Sequence, residues 1–245
     1  MPKSYPRIRG LLELSALTLQ IRCDIVDVLV GLRPTARLML RPGFEAETCV
    51  RVVVQAGLSV SVGRGVKWQS SHKRLGIVDW MGEVPGDCAE AEKFIVIYVG
   101  FTQALADNSR AADESRNDAE FGQALGYPSC CVKFVTDLGR VPEHKDVFSL
   151  YAAQGKYDPL CWPGAMALDC SLLIHYPCSI ACPTSRWMAE CRWRYIRDSG
   201  CESVIALVRS AHELVYWLDR EGRVRADAQA PKNATIVATH ATALN

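Results

Sequence analysis

No apolar run in this chain reaches the length of a membrane span. The strongest, Phe94 to Phe101, has eight residues and reads as a buried strand. Net charge is nearly absent as well: the formal balance is +1, which gives no overall electrostatic case for nucleic acid. Neither a membrane nor nucleic acid is therefore expected as a partner. A disorder signature is also missing, because 49% hydrophobic and 22% charged residues are ordinary for a folded chain. At the N-terminus Lys3, Arg7 and Arg9 precede an apolar stretch, but Glu13 interrupts it, which argues against an export signal. The expected compartment is a reducing cytoplasm. There the eleven cysteines serve as thiols or ligands rather than as a disulfide frame.

Several chemical signatures are missing too. Gly63-Arg64-Gly65-Val66-Lys67 sets two glycines beside two cations, yet the full phosphate-binding fingerprint is lacking, and a tight turn with solvated cations is the expectation. His212-Glu213 has no second histidine at metalloprotease spacing. Paired Cys-x-x-Cys knuckles of the usual zinc kind are absent, as are the fixed cysteine spacings of ferredoxins. No internal repeat of useful length occurs.

What is present is a chain of 245 residues, enough for one large domain or two small ones. Charge is unevenly spread. Residues 1–80 hold 12 Lys and Arg against 6 Asp and Glu, and residues 81–120 hold 3 against 9; two solvated faces are expected. Leu17, Leu19, Ile21, Cys23 and Ile25 alternate with polar residues and predict a strand, although a helical reading of the same stretch also exists. Strands are predicted as well over Arg37–Arg41, Val50–Val54, Leu58–Val62, Lys93–Phe101, Ser203–Val208 and Glu213–Leu218. Residues 219–222 then turn a hairpin into 223–226. Helices are predicted over Thr102–Leu125 (one long or two short), Ser129–Leu138 and Ser185–Asp198, the last with Trp187, Met188, Cys191 and Tyr195 on one face. The expected organisation is a β-leaning part over 1–92, a cysteine-bearing α+β part over 93–228 and a flexible tail over 229–245. The expected fold is α+β or α/β, a mixed sheet with flanking helices and a cysteine site at helix N-termini.

That site is carried by two segments. In Leu125-Gly126-Tyr127-Pro128-Ser129-Cys130-Cys131, Gly126 ends one helix and Pro128 suits the first turn of the next. Cys130 and Cys131 then sit where the helix dipole favours thiolate. In His175-Tyr176-Pro177-Cys178-Ser179-Ile180-Ala181-Cys182-Pro183-Thr184-Ser185, Pro183 opens a helix and makes Cys182 a cap-position thiol, with Thr184 and Ser185 offering hydroxyls nearby. Cys130, Cys131, Cys178 and Cys182 are expected to converge as metal ligands, and soft thiolates suit an iron–sulfur cluster or zinc. Neighbouring helical residues point about 100° apart. Cys130 and Cys131 are thus expected to fit a single zinc ion poorly and a cluster of the 4Fe-4S kind better. His175, three residues before Cys178, is a candidate ligand or general acid–base, and Cys131 or Cys130 a candidate nucleophile with His175 as base. Cys161 is a further contributor of low weight. Cys23, Cys49, Cys88, Cys170, Cys191 and Cys201 are read as packing or surface thiols, and His72 and His144 as surface residues.

The paired motifs LGYPxCC and HxPCSxxCxxS, borne here by residues 125–131 and 175–185, resemble an uncharacterised prokaryotic family catalogued as domain of unknown function 483. The resemblance spans about residues 93–220 and implies that these positions form one site, without supplying a reaction. The expectation drawn from all of this is a cytoplasmic enzyme with a metal or an iron–sulfur cluster. It would act on a small metabolite by sulfur transfer, dehydration or redox tailoring, in a biosynthetic setting and with a possible redox partner. A cysteine-nucleophile enzyme and a non-catalytic zinc-stabilised binding module are the alternatives.

Overall fold

The structure, a computed structural model, describes residues 5–69, 92–138, 151, 160, 171–213, 215–218, 224–227 and 235–238. The chain forms two compact units, one of Leu14–Tyr127 and one of Met1–Glu13 with Pro128–Asn245. A boundary at 92/93 would instead cut the first unit at its central strand. Helix α1 (Tyr5–Leu12) belongs to the second unit.

The first unit runs α2 (Leu19–Leu29), β1 (Thr35–Leu40), α3 (Phe44–Gln55), β2 (Ser59–Gln69), β3 (Glu92–Gly100), α4 (Gln103–Glu114) and α5 (Asp118–Ala124). Its sheet has the order β1-β3-β2 and is antiparallel throughout, with Thr35 and Ser59 both opposite Gly100. Val96 to Val99 of the central strand are all buried, as a continuous apolar run in a strand covered on both faces requires.

Three strand expectations fail here and in the second unit, each for an identifiable reason. The alternating stretch at Leu17–Ile25 is helix α2, capped by the Thr18 hydroxyl accepting from the Ile21 N–H. Among its polar residues Asp24 and, beyond the alternating stretch, Asp27 are buried and both reach Arg33, at 3.1 Å each. An internal ion network thus contributes to polar contrast that resembles strand patterning. Val50–Val54 lies in α3, where Glu45 and Glu47 favour the first turn and Val52 and Val53 pack inward, so burial overrides β-propensity. That helix closes through Leu58 N–H to Val53 C=O and Gly57 N–H to Val54 C=O. Ser203–Val208, in the second unit, is helical as well. Cys201, Val204, Ile205, Val208 and Ala211 are buried at helical spacing, a period that the β-branched residues of the stretch mask in the sequence. With three helices in its first 55 residues, the N-terminal part is mixed rather than β-leaning.

The glycine-rich stretch expected as a cation-bearing turn lies inside β2. Val62 pairs with Ile97 and Val66 with Ile95, so two extra residues form a bulge. The basic and acidic segments also meet within this unit. Arg37 Nε stands 3.1 Å from Asp113, and Arg64 Nε stands 3.8 Å from Glu114. They are thus partly each other's partners instead of two solvated faces. The Tyr98 hydroxyl donates to Asp113, and the Arg37 guanidinium lies 5.6 Å above the Phe121 ring. This fixes α5 and the turn after it. Gly126 there has φ +76°, and a Cβ would stand 2.4 Å from Pro34 Cδ, so conformation and space both require glycine.

The second unit holds α1, α6 (Ser129–Asp137), α7 (Pro183–Asp198), α8 (Glu202–Glu213), β4 (Val215–Leu218), β5 (Val224–Asp227) and β6 (Thr235–Ala238). Strand order is β5-β4-β6, again antiparallel, and Leu218 opposite Val224 matches the expected hairpin. The stretch expected as a tail contributes β6, paired with β4. The whole is an α+β fold of two antiparallel sheets with helices. On α7 the buried residues are Ser185, Met188, Ala189, Arg192, Trp193, Tyr195 and Ile196. Trp187, expected on one face with Met188, Cys191 and Tyr195, is 55% exposed, whereas Arg192 is 1% exposed and donates to the Ser171 carbonyl at 3.1 Å. Among the described residues no helix is long and apolar enough to cross a membrane.

Candidate metal centre

Two helix N-termini supply the site. Helix α6 starts at Ser129 as expected, with Pro128 as its N-cap, and the Pro128 carbonyl accepts from the N–H groups of Cys131 and Val132 at 2.8 and 2.9 Å. Cys130 and Cys131 are therefore the second and third residues of the helix. Cys182 is the N-cap of α7, and Pro183 holds the first helical position. Between Ser171 and Cys182 the chain is irregular but pinned. Arg192 holds the Ser171 carbonyl, and the Tyr151 hydroxyl donates to the Pro177 carbonyl beside Cys178. Leu172, Leu173 and Ile180 are buried along the way.

The four sulfurs converge. Cys130 Sγ lies 3.8 Å from Cys131 Sγ and 3.8 Å from Cys182 Sγ, and Cys131 Sγ lies 3.7 Å from Cys182 Sγ. With Cys178 included, all four lie within 4.8 Å of one another, and they are the ligand group of this kind among the described residues. This group could hold a metal ion. The adjacent pair was expected to diverge by about 100° along the helix. In the first turn no preceding turn blocks the side-chain rotamers, so two neighbouring sulfurs can swing to one point.

Hydrogen-bond donors are concentrated on the inner sulfurs. Cys131 Sγ accepts from the Cys178 backbone N–H at 3.3 Å and stands 3.3 Å from Ser185 Oγ. Ser185 is fully buried and lies 2.8 Å from His175 Nε2. With its proton donated to a Cys131 thiolate, the Ser185 oxygen accepts from His175, which places the imidazole proton on Nε2. His175 is thus buried and joins the group by way of Ser185, not as one of the four clustered ligand atoms. In the sequence Ser185 is only a hydroxyl near a helix start. Tyr151 carried no sequence signal at all.

Charge follows the same division. Burial pushes the Cys131 thiol well above its ordinary range, against the opposing Ser185 and Cys178 hydrogen bonds. Without a cation beside it, Cys131 is a poor nucleophile. Cys178 is pushed up to about 11, first by burial and then by the thiols of Cys130 and Cys182. For Cys182 burial acts upward, but hydrogen bonds from Ser185 and from Cys178 and Cys131 outweigh it and bring the thiol down to about 7. Cys130 is exposed, Cys178 half-buried, and Cys131 and Cys182 buried.

Of the other cysteines, Cys23, Cys49 and Cys201 are buried and Cys191 is half-buried. Cys88, Cys161, Cys170, His72 and His144 lie outside the described residues. No family model, curated protein or solved structure matches the chain, so the likeness of its two cysteine motifs to a known family stands on those residues alone.

Proposed function

We propose that this chain is a metal-dependent enzyme for a small metabolite. Its Cys130, Cys131, Cys178 and Cys182 thiolates would hold a single tetrahedral ion, zinc ahead of iron. The observation that carries the reading is the sulfur spacing. Four sulfurs each ~2.3 Å from one ion stand ~3.8 Å apart at tetrahedral angles, and three of the pairs stand 3.7–3.8 Å apart. A cubic 4Fe-4S cluster gives each sulfur its own iron and spreads the sulfurs to roughly 6 Å; two bridged irons leave pairs at roughly 5–6 Å. A ceiling of 4.8 Å favours one ion over either cluster. This reverses the preference for iron–sulfur drawn from the tandem cysteines.

When bound, such an ion supplies the positive charge that keeps the sulfurs deprotonated. The N-terminal ends of α6 and α7 add their partial positive charge on the same side. Ser185 and the Cys178 N–H hold Cys131 in place, and His175 orients Ser185. Solvent access at Cys130 supports an active role for the ion's outer side. A fully four-thiolate ligand set would also suit a non-catalytic zinc-stabilised module, and that is the second reading.

Cobalt substitution of the full chain tests the ligand set. The expected result is the intense sulfur-to-cobalt charge-transfer absorption of a tetrahedral tetrathiolate site, saturating at one cobalt per chain. Ser185→Ala should keep that spectrum while weakening metal affinity about 10- to 100-fold, because it removes the support of Cys131. An octahedral, weak cobalt spectrum would sink the reading. Unchanged affinity in Ser185→Ala would remove Ser185 from the supporting shell.

A further inference from the structure

We infer that Cys130 is an alkyl-accepting nucleophile, whose metal-held thiolate takes a small alkyl group from a donor with a good leaving group. The inference rests on the single-ion reading above and assigns the chemistry of that site. Two observations separate Cys130 from its three neighbours. It is the exposed member of the group, beside the half-buried Cys178 and the buried Cys131 and Cys182. Among the described residues it also lacks the donors that quieten Cys131. Cys131 accepts from the Cys178 N–H and lies beside the Ser185 hydroxyl, and Cys182 is buried. Among the described residues the polar contacts of the Cys130 sulfur are the neighbouring sulfurs, Cys131 and Cys182 at 3.8 Å each and Cys178.

The physical consequence runs through charge. Four thiolates on a divalent ion leave a net charge of −2 on the sulfur cage. Hydrogen bonds withdraw electron density from the sulfur that receives them and burial shields a sulfur from an incoming reagent, so Cys131 and Cys182 become anchors. The remaining density is most available on the thiolate that receives none and faces solvent. The cation keeps that sulfur deprotonated at a pH where a free thiol is mostly protonated. In the step, a Cys130 Sγ lone pair attacks the alkyl carbon and an S–C bond forms. The bond from carbon to the leaving group breaks, and that group departs with its electron pair. One negative charge moves from sulfur to the leaving group, and no oxidant or reductant is needed. A soft carbon electrophile matches the polarisable sulfur, and the exposed position leaves room for it.

The test uses the full chain, first assayed for bound metal and then split into metal-loaded and chelator-treated samples. Both are exposed to methyl iodide at pH 6, and methylated cysteines are located by peptide mass spectrometry. The expected result is methylation of Cys130 at least about tenfold faster in the loaded sample, since a free thiol is overwhelmingly protonated at that pH. Cys131, Cys178 and Cys182 should stay unmodified while the ion is bound. Cys130→Ser should lose this methylation, with its bound metal assayed alongside. If that variant fails to fold, the comparison of loaded and chelated wild-type chain decides alone. A chain that keeps its ion yet methylates Cys130 no faster than the chelated form overturns the inference and leaves the metal reading intact. So does methylation shared with the other three cysteines. A chain that binds no ion fails at the first assay, and the two readings fall together.

Discussion

Cys182→Ser is expected to lose the bound ion and to lower the melting temperature of the unit that carries it by about 8–16 °C. Cys182 Sγ stands 3.7–3.8 Å from both cysteines of α6, and it comes from a segment tied to that helix across more than fifty residues of chain. An ion joining them closes that loop, so its binding free energy is folding free energy. A net loss of about 4 kcal/mol gives the stated shift for a unit of this size. Differential scanning calorimetry with metal analysis of the same samples is the check. Cys49→Ala serves as the comparison, because Cys49 is fully buried in α3 and burial pushes its thiol up to about 12. That variant should keep the ion. Metal loss in Cys49→Ala, or retained metal and an unmoved transition in Cys182→Ser, would contradict the assignment of ligands.

The second large effect belongs to the other unit. Arg33→Ala should destabilise it by about 3–5 kcal/mol, the usual consequence of removing one member of a buried ion group. The Arg33 side chain is 1% exposed, with its Nε 3.1 Å from Asp27 and its Nη2 3.1 Å from Asp24. Both carboxylates sit on α2 with little access to water, so deleting the cation leaves two negative charges facing each other in a poor solvent. Replacing all three residues together by apolar ones of similar volume should recover most of the loss. Urea denaturation of the three chains measures it. A loss below about 1 kcal/mol for Arg33→Ala would place the group in solvent and contradict its burial.

These two sites mark where the sequence was legible and where it was not. The cysteine site could be read because prolines and a glycine fix its backbone locally. Pro128 and Pro183 start helices, Gly126 ends one, and both helix starts carry cysteine. The spacing of the sulfurs was not legible, because position along a helix does not give side-chain rotamers, and those of the first turn bring Cys130 and Cys131 to 3.8 Å. Partners from distant chain left no mark at all: the Tyr151 hydroxyl on the Pro177 carbonyl and Arg192 on the Ser171 carbonyl are tertiary events. Strand β3 was legible because eight apolar residues in a row suit a central strand. Helix α2 was not, because Asp24 and Asp27 have the composition of a surface and the burial of a core. The spacing of Val204, Ile205, Val208 and Ala211 carries the period of helix α8, against the β-branched content of the same stretch.

The central claim is one ion held by four thiolates, and its most direct test is elemental. Zinc, iron and acid-labile sulfide are measured per chain on the full protein purified without oxygen. One ion per chain with no sulfide is the predicted result, with that ion lost in Cys182→Ser. Several irons per chain with matching sulfide, or no metal at all with the four thiols free, would contradict it.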